Sequence, residues 1–264
     1  MINVATLSNG QTSNERTALF CKTWGFLKYH HPAVTSTNIN WDSVFVNNIQ
    51  QAIKAKTNAD FNKRLIVIIN AAGPVVLTKP SRISDSLFTL NSTGIDWVKQ
   101  SSIFNYDVKQ NLKIIYDNKN QGDNKYIKII NNTADFSSEN KYDSITFPTA
   151  EYRLLFLARF WNIINYFAPY KYLITNWDNV LKAFVPKFIQ STDTLSYYKT
   201  LQELCKSLND GHSQLQLPEQ TSFSDLVFGR YIVPFYCEII NEKIIVRQIP
   251  DDSTAKAAGG NKEM

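Results

Sequence analysis

His212 stands in the sequence Asp210-Gly211-His212-Ser213, and by its type and surroundings it is the residue best suited to chemistry. An imidazole titrates near neutral pH, so it can accept and return a proton in general acid–base catalysis. Gly211 allows a sharp turn of the backbone, which would hold the imidazole at a domain edge facing a cleft. A purely structural role in the loop is the alternative. Ser213 is not expected to be a nucleophile served by His212, because adjacent side chains seldom point at each other.

The other two histidines, His30 and His31, are adjacent, and together with Cys21 they could be considered as metal ligands. No carboxylate stands at a ligand-like spacing, so a partly exposed turn is the favoured interpretation. Cys21, Cys205 and Cys237 lie far apart without a Cys-x-x-Cys spacing, which is typical of buried free thiols. We therefore expect neither a metal nor another cofactor.

Asp42 and Asp178 each follow a tryptophan, and we interpret them as helix-start residues that interact favourably with the helix dipole rather than as acids or bases. The chain contains no P-loop, no dinucleotide-binding glycine fingerprint and no Gly-x-Ser-x-Gly elbow. By spacing alone, the sequence contains no complete catalytic constellation.

The helices that would position His212 are predicted within residues 151–218. In the first of them, over 151–167, the apolar residues recur at helical spacing and leave only a narrow polar stripe, which predicts a mostly buried helix. Pro169 ends this helix, because proline cannot donate to the helical hydrogen-bond ladder.

Two further helices follow in the same stretch. The first is expected to begin with Asn176 as its cap and to be bent or shortened at Pro186. The last is expected to begin at Ser191 or Asp193 and to end at residues 209–211, where Asn-Asp-Gly interrupts the pattern. That break would deliver His212 to a loop.

Residues 15–44 resemble residues 151–180 closely enough to predict an internal repeat. The matching residues are Arg16 with Arg153, Trp24 with Trp161, Tyr29 with Tyr166 and Pro32 with Pro169, all 137 residues apart, and Trp41-Asp42 with Trp177-Asp178 after a slip of one residue. This pattern predicts two copies of a helix, proline turn, helix unit, whose aromatic faces pack against each other or a shared core. The tryptophans are expected to be core anchors rather than a ligand cage.

The fold class predicted for the whole chain is mainly α followed by a short β-rich part, hence α+β overall. The predicted segments are a flexible N-terminus (1–14), a first helical repeat (15–74), a connector of mixed structure (75–150), a second helical repeat (151–218), and a linker with the start of a β-rich module (219–264). Expected boundaries within them are a cap at Ser13 or Asn14, a helix over 61–73 ending at Gly73-Pro74, a helix over 108–116, and strands over 126–130, 231–235 and 243–247 with a turn at Asn241-Glu242.

Composition excludes several broad classes of protein. At 264 residues with 44% hydrophobic residues, the chain can fold around a packed core. The net charge of +5 is spread along the chain rather than gathered into tracts, so no nucleic-acid partner is expected. The N-terminal residues lack the basic start and apolar run of a signal peptide, and no segment has membrane-spanning length and apolarity.

A family resemblance rests on three features of the chain, namely the Asp210-Gly211-His212-Ser213 turn, the helix with Trp161, Tyr166 and Pro169 before it, and the later Asp252-Ser253-x-Ala255-x-x-Ala258-Gly259. With these features the chain resembles the tail-specific (C-terminal-processing, tricorn-like) serine peptidases, most closely the larger secreted or periplasmic bacterial members. The resemblance covers about residues 15–259. It implies a helical region ending in an Asp-x-His turn, then a PDZ-like peptide-binding domain, then an α/β domain with the catalytic serine.

The resemblance also implies which parts of the protein bind the peptide and which contribute catalytic residues. The strands after residue 229 look like the start of a PDZ-like domain that binds peptides by strand addition, although the usual Gly-Asp and apolar strand that follow are missing. The nucleophilic serine and its lysine or glutamate would lie beyond Met264. In the tricorn-like branch His212 matches the general base for that serine, whereas in the serine-lysine branch the turn is only structural.

The resulting prediction is the N-terminal helical and partial PDZ-like region of a serine endopeptidase that acts on a peptide or protein substrate and is inactive alone. Family members are commonly exported, but compartment, substrate and oligomeric state stay open. One alternative is a non-catalytic helical scaffold or peptide-binding protein. Another is an α-helical repeat adaptor unrelated to peptidases, which only the repeat favours.

Overall fold

A computed structural model of the protein describes residues 4–75, 77, 94–131, 133–145, 147–211, 213, 215, 225, 235–241 and 243–248. The helices are α1 (Val4–His30), α2 (Pro32–Ser36), α3 (Trp41–Ile53), α4 (Asn58–Ala71), α5 (Asp96–Gln100), α6 (Tyr106–Asp117), α7 (Ala150–Phe167), α8 (Trp177–Gln190) and α9 (Thr194–Lys206), with a 3-10 turn at Lys171–Leu173. The strands are β1 (Lys128–Ile130), β2 (Thr133–Asp135), β3 (Tyr236–Ile240) and β4 (Lys243–Gln248). These residues are mainly helical with small antiparallel sheets, which confirms the predicted mainly α, α+β class.

The chain divides into two compact units, residues 1–215 and 216–264. The first unit contains α1 to α9 and the β1–β2 hairpin, and the second contains the β3–β4 hairpin. No helix among the described residues is long and apolar enough to cross a lipid bilayer.

The N-terminal helix is longer than predicted. It begins at Val4, so residues 4–14 are helical rather than a flexible N-terminus, and neither Ser13 nor Asn14 caps it. The Ser13 hydroxyl instead donates a hydrogen bond to the Ile53 carbonyl, 3.2 Å away at the end of α3. This contact holds α1 against the end of α3, and it lies in the part of the helix that the hydrophobic pattern of the sequence does not predict.

Side-chain caps fix the starts of α4 and α9, the last helices of the two predicted helical repeats. Thr57 accepts a hydrogen bond from the Asp60 amide at the start of α4. Asp193, rather than Ser191, caps α9, where its carboxylate accepts from the Ser196 amide at 2.7 Å in a capping box. The start of α9 was predicted correctly at Asp193, whereas α4 begins at Asn58, three residues before the predicted start at 61.

The other predicted boundaries hold to different degrees. Helix α4 ends before Gly73, whose φ of 87° favours glycine, as predicted. Helix α8 begins after Asn176, but the Asn176 side chain makes no cap hydrogen bond. The helix is not shortened at Pro186, because the buried side chains of Val185 and Phe188 hold the turn around it in the core.

The connector and the C-terminal hairpin show two shifts of strand position. The predicted strand over 126–130 is reduced to β1, which pairs with an unpredicted β2. In the second unit β3 covers Tyr236–Ile240 and does not overlap the predicted strand over 231–235, because Ile240 pairs directly with Lys243 across a short turn. Residues 231–234 of the predicted strand lie outside the described residues.

Two tryptophan pairs anchor the core of the first unit. The Trp24 indole donates to the Trp41 carbonyl at 2.9 Å, and the Trp41 indole donates back to the Trp24 carbonyl at 3.1 Å. Trp161 and Trp177 exchange hydrogen bonds in the same way, at 2.9 and 3.2 Å. All four side chains are buried, which confirms that they are core anchors.

The helices with these tryptophans pack across one another. Helix α1 contacts α7 and α8, and α7 in turn contacts α3. The Asn162 amide donates to the Ala158 carbonyl of its own helix at 2.7 Å and to the Cys21 carbonyl of α1 at 3.0 Å. The rings of Tyr29 and Tyr166 also meet, with centroids 6.4 Å apart.

Candidate functional site

The turn that follows α9 contains the predicted catalytic histidine. The Ser213 amide donates to the Asp210 carbonyl at 3.1 Å, which closes a turn over these residues. Asn209, with a φ of 52°, takes the left-handed conformation in this turn, so the sharp change of direction does not depend on Gly211. Gly211 is exposed and has open space where a Cβ would stand. His212 itself lies outside the described residues, and its role stays a prediction.

The adjacent histidines do not form the partly exposed turn that was predicted. His31 is fully buried, because α2 starts directly after it and folds back on α1. His30 is half-buried and its ring stacks on that of Phe26. The His30 and Tyr166 rings lie edge to face, with their centroids 4.6 Å apart. Burial lowers the pKa of each histidine to about 4, so both are neutral near pH 7. Cys21 is a buried free thiol as predicted, but Cys205 is half-buried and Cys237 is exposed, so the prediction of three buried thiols was wrong for those two. Within the described residues no group of three or more His, Cys, Asp and Glu could hold a metal ion.

Asp42 is more than a helix-start residue, because it makes buried contacts that the sequence did not indicate. The carboxylate is buried, and one oxygen accepts a hydrogen bond from the Lys28 ammonium at 3.1 Å. The other oxygen accepts from the Arg159 guanidinium at 2.5 Å, the Asn140 amide at 2.9 Å and the Tyr142 hydroxyl at 3.0 Å. The carboxylate therefore joins α1, α7 and the connector.

Glu139 of the connector adds a second carboxylate to the same cluster. It lies 2.8 Å from the Lys28 ammonium and 2.9 Å from the Arg159 guanidinium, and it accepts from the Tyr29 hydroxyl at 3.1 Å. The Lys28 ammonium also lies 4.0 Å from the centre of the Tyr126 ring. We call Lys28, Asp42, Glu139 and Arg159 the sealed cluster.

Charges in the sealed cluster balance, with two cations and two carboxylates. Burial lowers the pKa of Lys28, and the two carboxylates oppose that effect. Burial alone would raise the pKa of Asp42, but Lys28, Arg159 and their hydrogen bonds lower it overall. Since both carboxylates and both cations have charged partners, the cluster can lock the connector onto the helices.

A second cluster lies where α1 meets α8. The Lys22 ammonium lies 2.8 Å from the Asp178 carboxylate, whose side chain is 65% exposed. Lys171 donates to the Asn165 side chain at 2.5 Å, and its pKa is lowered to about 8 by burial and by the charge of Lys22, against the opposing effect of Asp178. Burial and the Asp178 charge raise the pKa of Tyr166. We call Lys22, Tyr166, Lys171 and Asp178 the open cluster.

A cavity of about 220 Å³ opens beside the Lys22–Asp178 ion pair. Trp97 and Glu15 also line it, and the Lys22 ammonium lies 4.9 Å from the centre of the Trp97 ring. Glu15 is occupied by an ion pair with Lys182 at 3.3 Å. The cavity therefore combines an aromatic wall with charged groups of both signs.

No family model matches the chain, and comparisons with curated proteins and with solved structures give no significant match.

Proposed function

We propose that this chain is the N-terminal helical and partial PDZ-like region of a tail-specific serine endopeptidase. The observation that carries the proposal is the sequence Asp210-Gly211-His212-Ser213, placed directly after a packed helical unit and followed by a separate unit with a β-hairpin. That order of parts is the order that the family resemblance implies.

In the proposed reaction His212 is the general base. It takes the proton of a serine hydroxyl supplied by a later domain while the serine oxygen attacks the peptide carbonyl carbon. It then gives the proton to the leaving amine as the C–N bond breaks, and water hydrolyses the acyl-enzyme by the same route. The helical unit contributes a rigid support for this histidine rather than a second reacting group.

In this proposal the β3–β4 hairpin begins the PDZ-like domain, which binds a peptide as an added strand. The exposure of its apolar residues supports this, because Ile239 and Ile244 are each 74% exposed and a two-stranded hairpin is marginal alone. Further strands or a bound peptide would cover them.

The proposal also includes the internal duplication. The reciprocal hydrogen bonds in both tryptophan pairs support it, since the same unusual arrangement occurs at both matching places in the sequence. Two copies packed face to face would provide the fixed helical base from which the turn at 210–213 projects.

A fluorophosphonate probe on the gene product, as its source cell makes it, tests the proposal. We expect a product heavier than 30.2 kDa that the probe labels and that cleaves unstructured peptides. A His212→Gln variant should lose about 10³-fold in kcat/KM at an unchanged melting temperature. Lys199→Gln, on the exposed side of α9, is the matched control and should keep full activity.

The outcomes separate the alternatives. Labelling and cleavage that survive His212→Gln would overturn the role of His212 and favour a serine-lysine mechanism. An intact product that is neither labelled nor active would overturn the peptidase assignment and favour a helical scaffold or peptide-binding protein.

A further inference from the structure

The sealed and open clusters stand at corresponding places in the chain. Two of the ion pairs that join α1 and α3 to α7 and α8 belong to these clusters: Lys22 of α1 binds Asp178 of α8, and Arg159 of α7 binds Asp42 of α3. The sequence offset of 136 or 137 residues that relates the tryptophans also relates Asp42 to Asp178, Lys22 to Arg159, Tyr29 to Tyr166, and Lys28 to Asn165. The open cluster is thus the counterpart of the sealed one.

The two clusters differ in their number of carboxylates. In the sealed cluster Glu139 forms ion pairs with two cations and accepts a hydrogen bond from the Tyr29 hydroxyl. Among the described residues of the open cluster, Asp178 is the one carboxylate for two ammonium groups, Lys22 and Lys171. Lys171 supplies the cation that Lys28 supplies in the sealed cluster, because its ammonium lies on the Asn165 side chain.

Groups of the open cluster lack what Glu139 provides. The Tyr166 side chain is buried, and its hydroxyl has no hydrogen-bond acceptor of good geometry within the described part of the chain, although the Asn165 side chain lies close to it. Burial and the charge of Lys22 lower the pKa of the half-buried Lys171 to about 8, against the opposing charge of Asp178. A carboxylate placed here would accept from both groups.

The open cluster is accessible to solvent at Asp178. Its carboxylate is largely exposed, whereas in the sealed cluster the matching Asp42 accepts hydrogen bonds from Asn140 and Tyr142 of the connector. A ligand with a hydrogen-bond donor beside its carboxylate would therefore bind both the cations of the open cluster and Asp178. The connector segment 136–142, Phe-Ser-Ser-Glu-Asn-Lys-Tyr, has this chemistry.

We propose that the open cluster binds the side-chain carboxylate of a glutamate in an extended peptide segment, as the sealed cluster binds Glu139. The glutamate accepts from Lys22, Lys171 and the Tyr166 hydroxyl, and donors that follow it in the peptide reach Asp178. The site rests on the packed helices alone and does not depend on the peptidase assignment.

The connector peptide itself is the probe. The N-acetylated and C-amidated peptide of residues 136–142 is titrated into the ¹³C-lysine-labelled protein and followed by NMR at low salt. We expect saturable binding, a rise in the pKa of Lys171 from about 8, and binding at least about tenfold weaker when the peptide contains glutamine in place of glutamate. Lys171→Met should weaken binding by a similar factor, whereas Lys199→Met, also on the surface, should not.

Three results would overturn the proposal. They are equal binding of the glutamate and glutamine peptides, an unchanged Lys171 pKa on saturation, and binding that survives Lys171→Met, which would place the peptide elsewhere. Sodium acetate that binds as tightly as the peptide would overturn the requirement for a peptide. Circular dichroism of the Lys171→Met variant confirms its fold, and because Lys171 is only half-buried the substitution should not prevent folding.

Discussion

Gly25 of α1 and Asn162 of α7 lie against each other so closely that a Cβ built on Gly25 would be 2.0 Å from Cγ of Asn162. The Asn162 side chain is buried and cannot swing away, since its amide donates to the carbonyls of Cys21 and Ala158. The two residues are 137 positions apart, the offset that also separates Trp24 from Trp161. The close approach of α1 and α7 therefore requires glycine on one side and a hydrogen-bonding side chain on the other.

Gly25→Ala should destabilise the protein, although alanine normally stabilises a helix relative to glycine. We expect a loss of about 1 to 3 kcal/mol in the free energy of unfolding, because the methyl group overpacks a buried contact. Urea denaturation of Gly25→Ala, Asn162→Ala and the double variant measures it. The double variant should be more stable than the sum of the single effects predicts, by about 1 kcal/mol, and strictly additive effects would contradict the contact.

Trp24→Phe and Trp161→Phe should cost similar amounts, about 2 kcal/mol each. Both remove an indole hydrogen bond to a backbone carbonyl and leave a small cavity in the core. Thermal or urea unfolding compares them with Trp97→Phe, a control at a half-buried tryptophan, which should cost less. A large effect at only one of the two pairs would show that they do not have equivalent roles.

Asp42→Asn and Asp178→Asn should differ sharply, although both residues follow a tryptophan at a helix start. Asp42→Asn leaves the buried Lys28 and Arg159 with one carboxylate fewer and should cost about 3 to 5 kcal/mol. Asp178 is largely exposed, so Asp178→Asn should cost less than about 1 kcal/mol. Equal costs in urea unfolding would mean that the sealed cluster contributes nothing beyond a surface ion pair.

The stability of the protein should fall as the pH falls from about 6.5 to about 4. His30 and His31 have pKa values lowered to about 4 by burial, so in this range the unfolded chain binds more protons than the folded one. Each histidine then contributes a slope of at most about 1.4 kcal/mol per pH unit, and this contribution is complete above pH 6.5. Urea midpoints measured from pH 4 to 8 give the slope.

His30→Phe is the matched variant for this pH dependence, because phenylalanine can keep the ring contacts with Phe26 and Tyr166. Its stability should depend less on pH between 4 and 6.5 than that of the unsubstituted protein, with the difference vanishing above that range. Curves that stay parallel throughout would exclude His30 as a source of the slope, since carboxylates titrate alike in both proteins.

Most of the longer helices, the Asp193 cap and the buried tryptophans could be predicted from the sequence because they depend on neighbouring residues. The Asp193 cap and the stop at Gly73 are made within a few positions of the helix ends, and the helical spacing of apolar residues marks the buried faces. The catalytic histidine could be predicted only from its motif and the family resemblance. Nothing in the described residues tests that prediction.

The tertiary structure alone decided which polar residues meet. The sequence indicates only a helix-start role for Asp42, because its partners Arg159 and Asn140 lie about a hundred positions away and local spacing contains no information on such contacts. His31 was expected in a partly exposed turn, but the packing of α2 buries it. The sequence contains Lys22 and Arg159 at matching positions, 137 residues apart. Only the crossing of the helices shows that Lys22 binds Asp178 and that Arg159 binds Asp42. Burial and charge pairing depend on which surfaces the folded chain brings together.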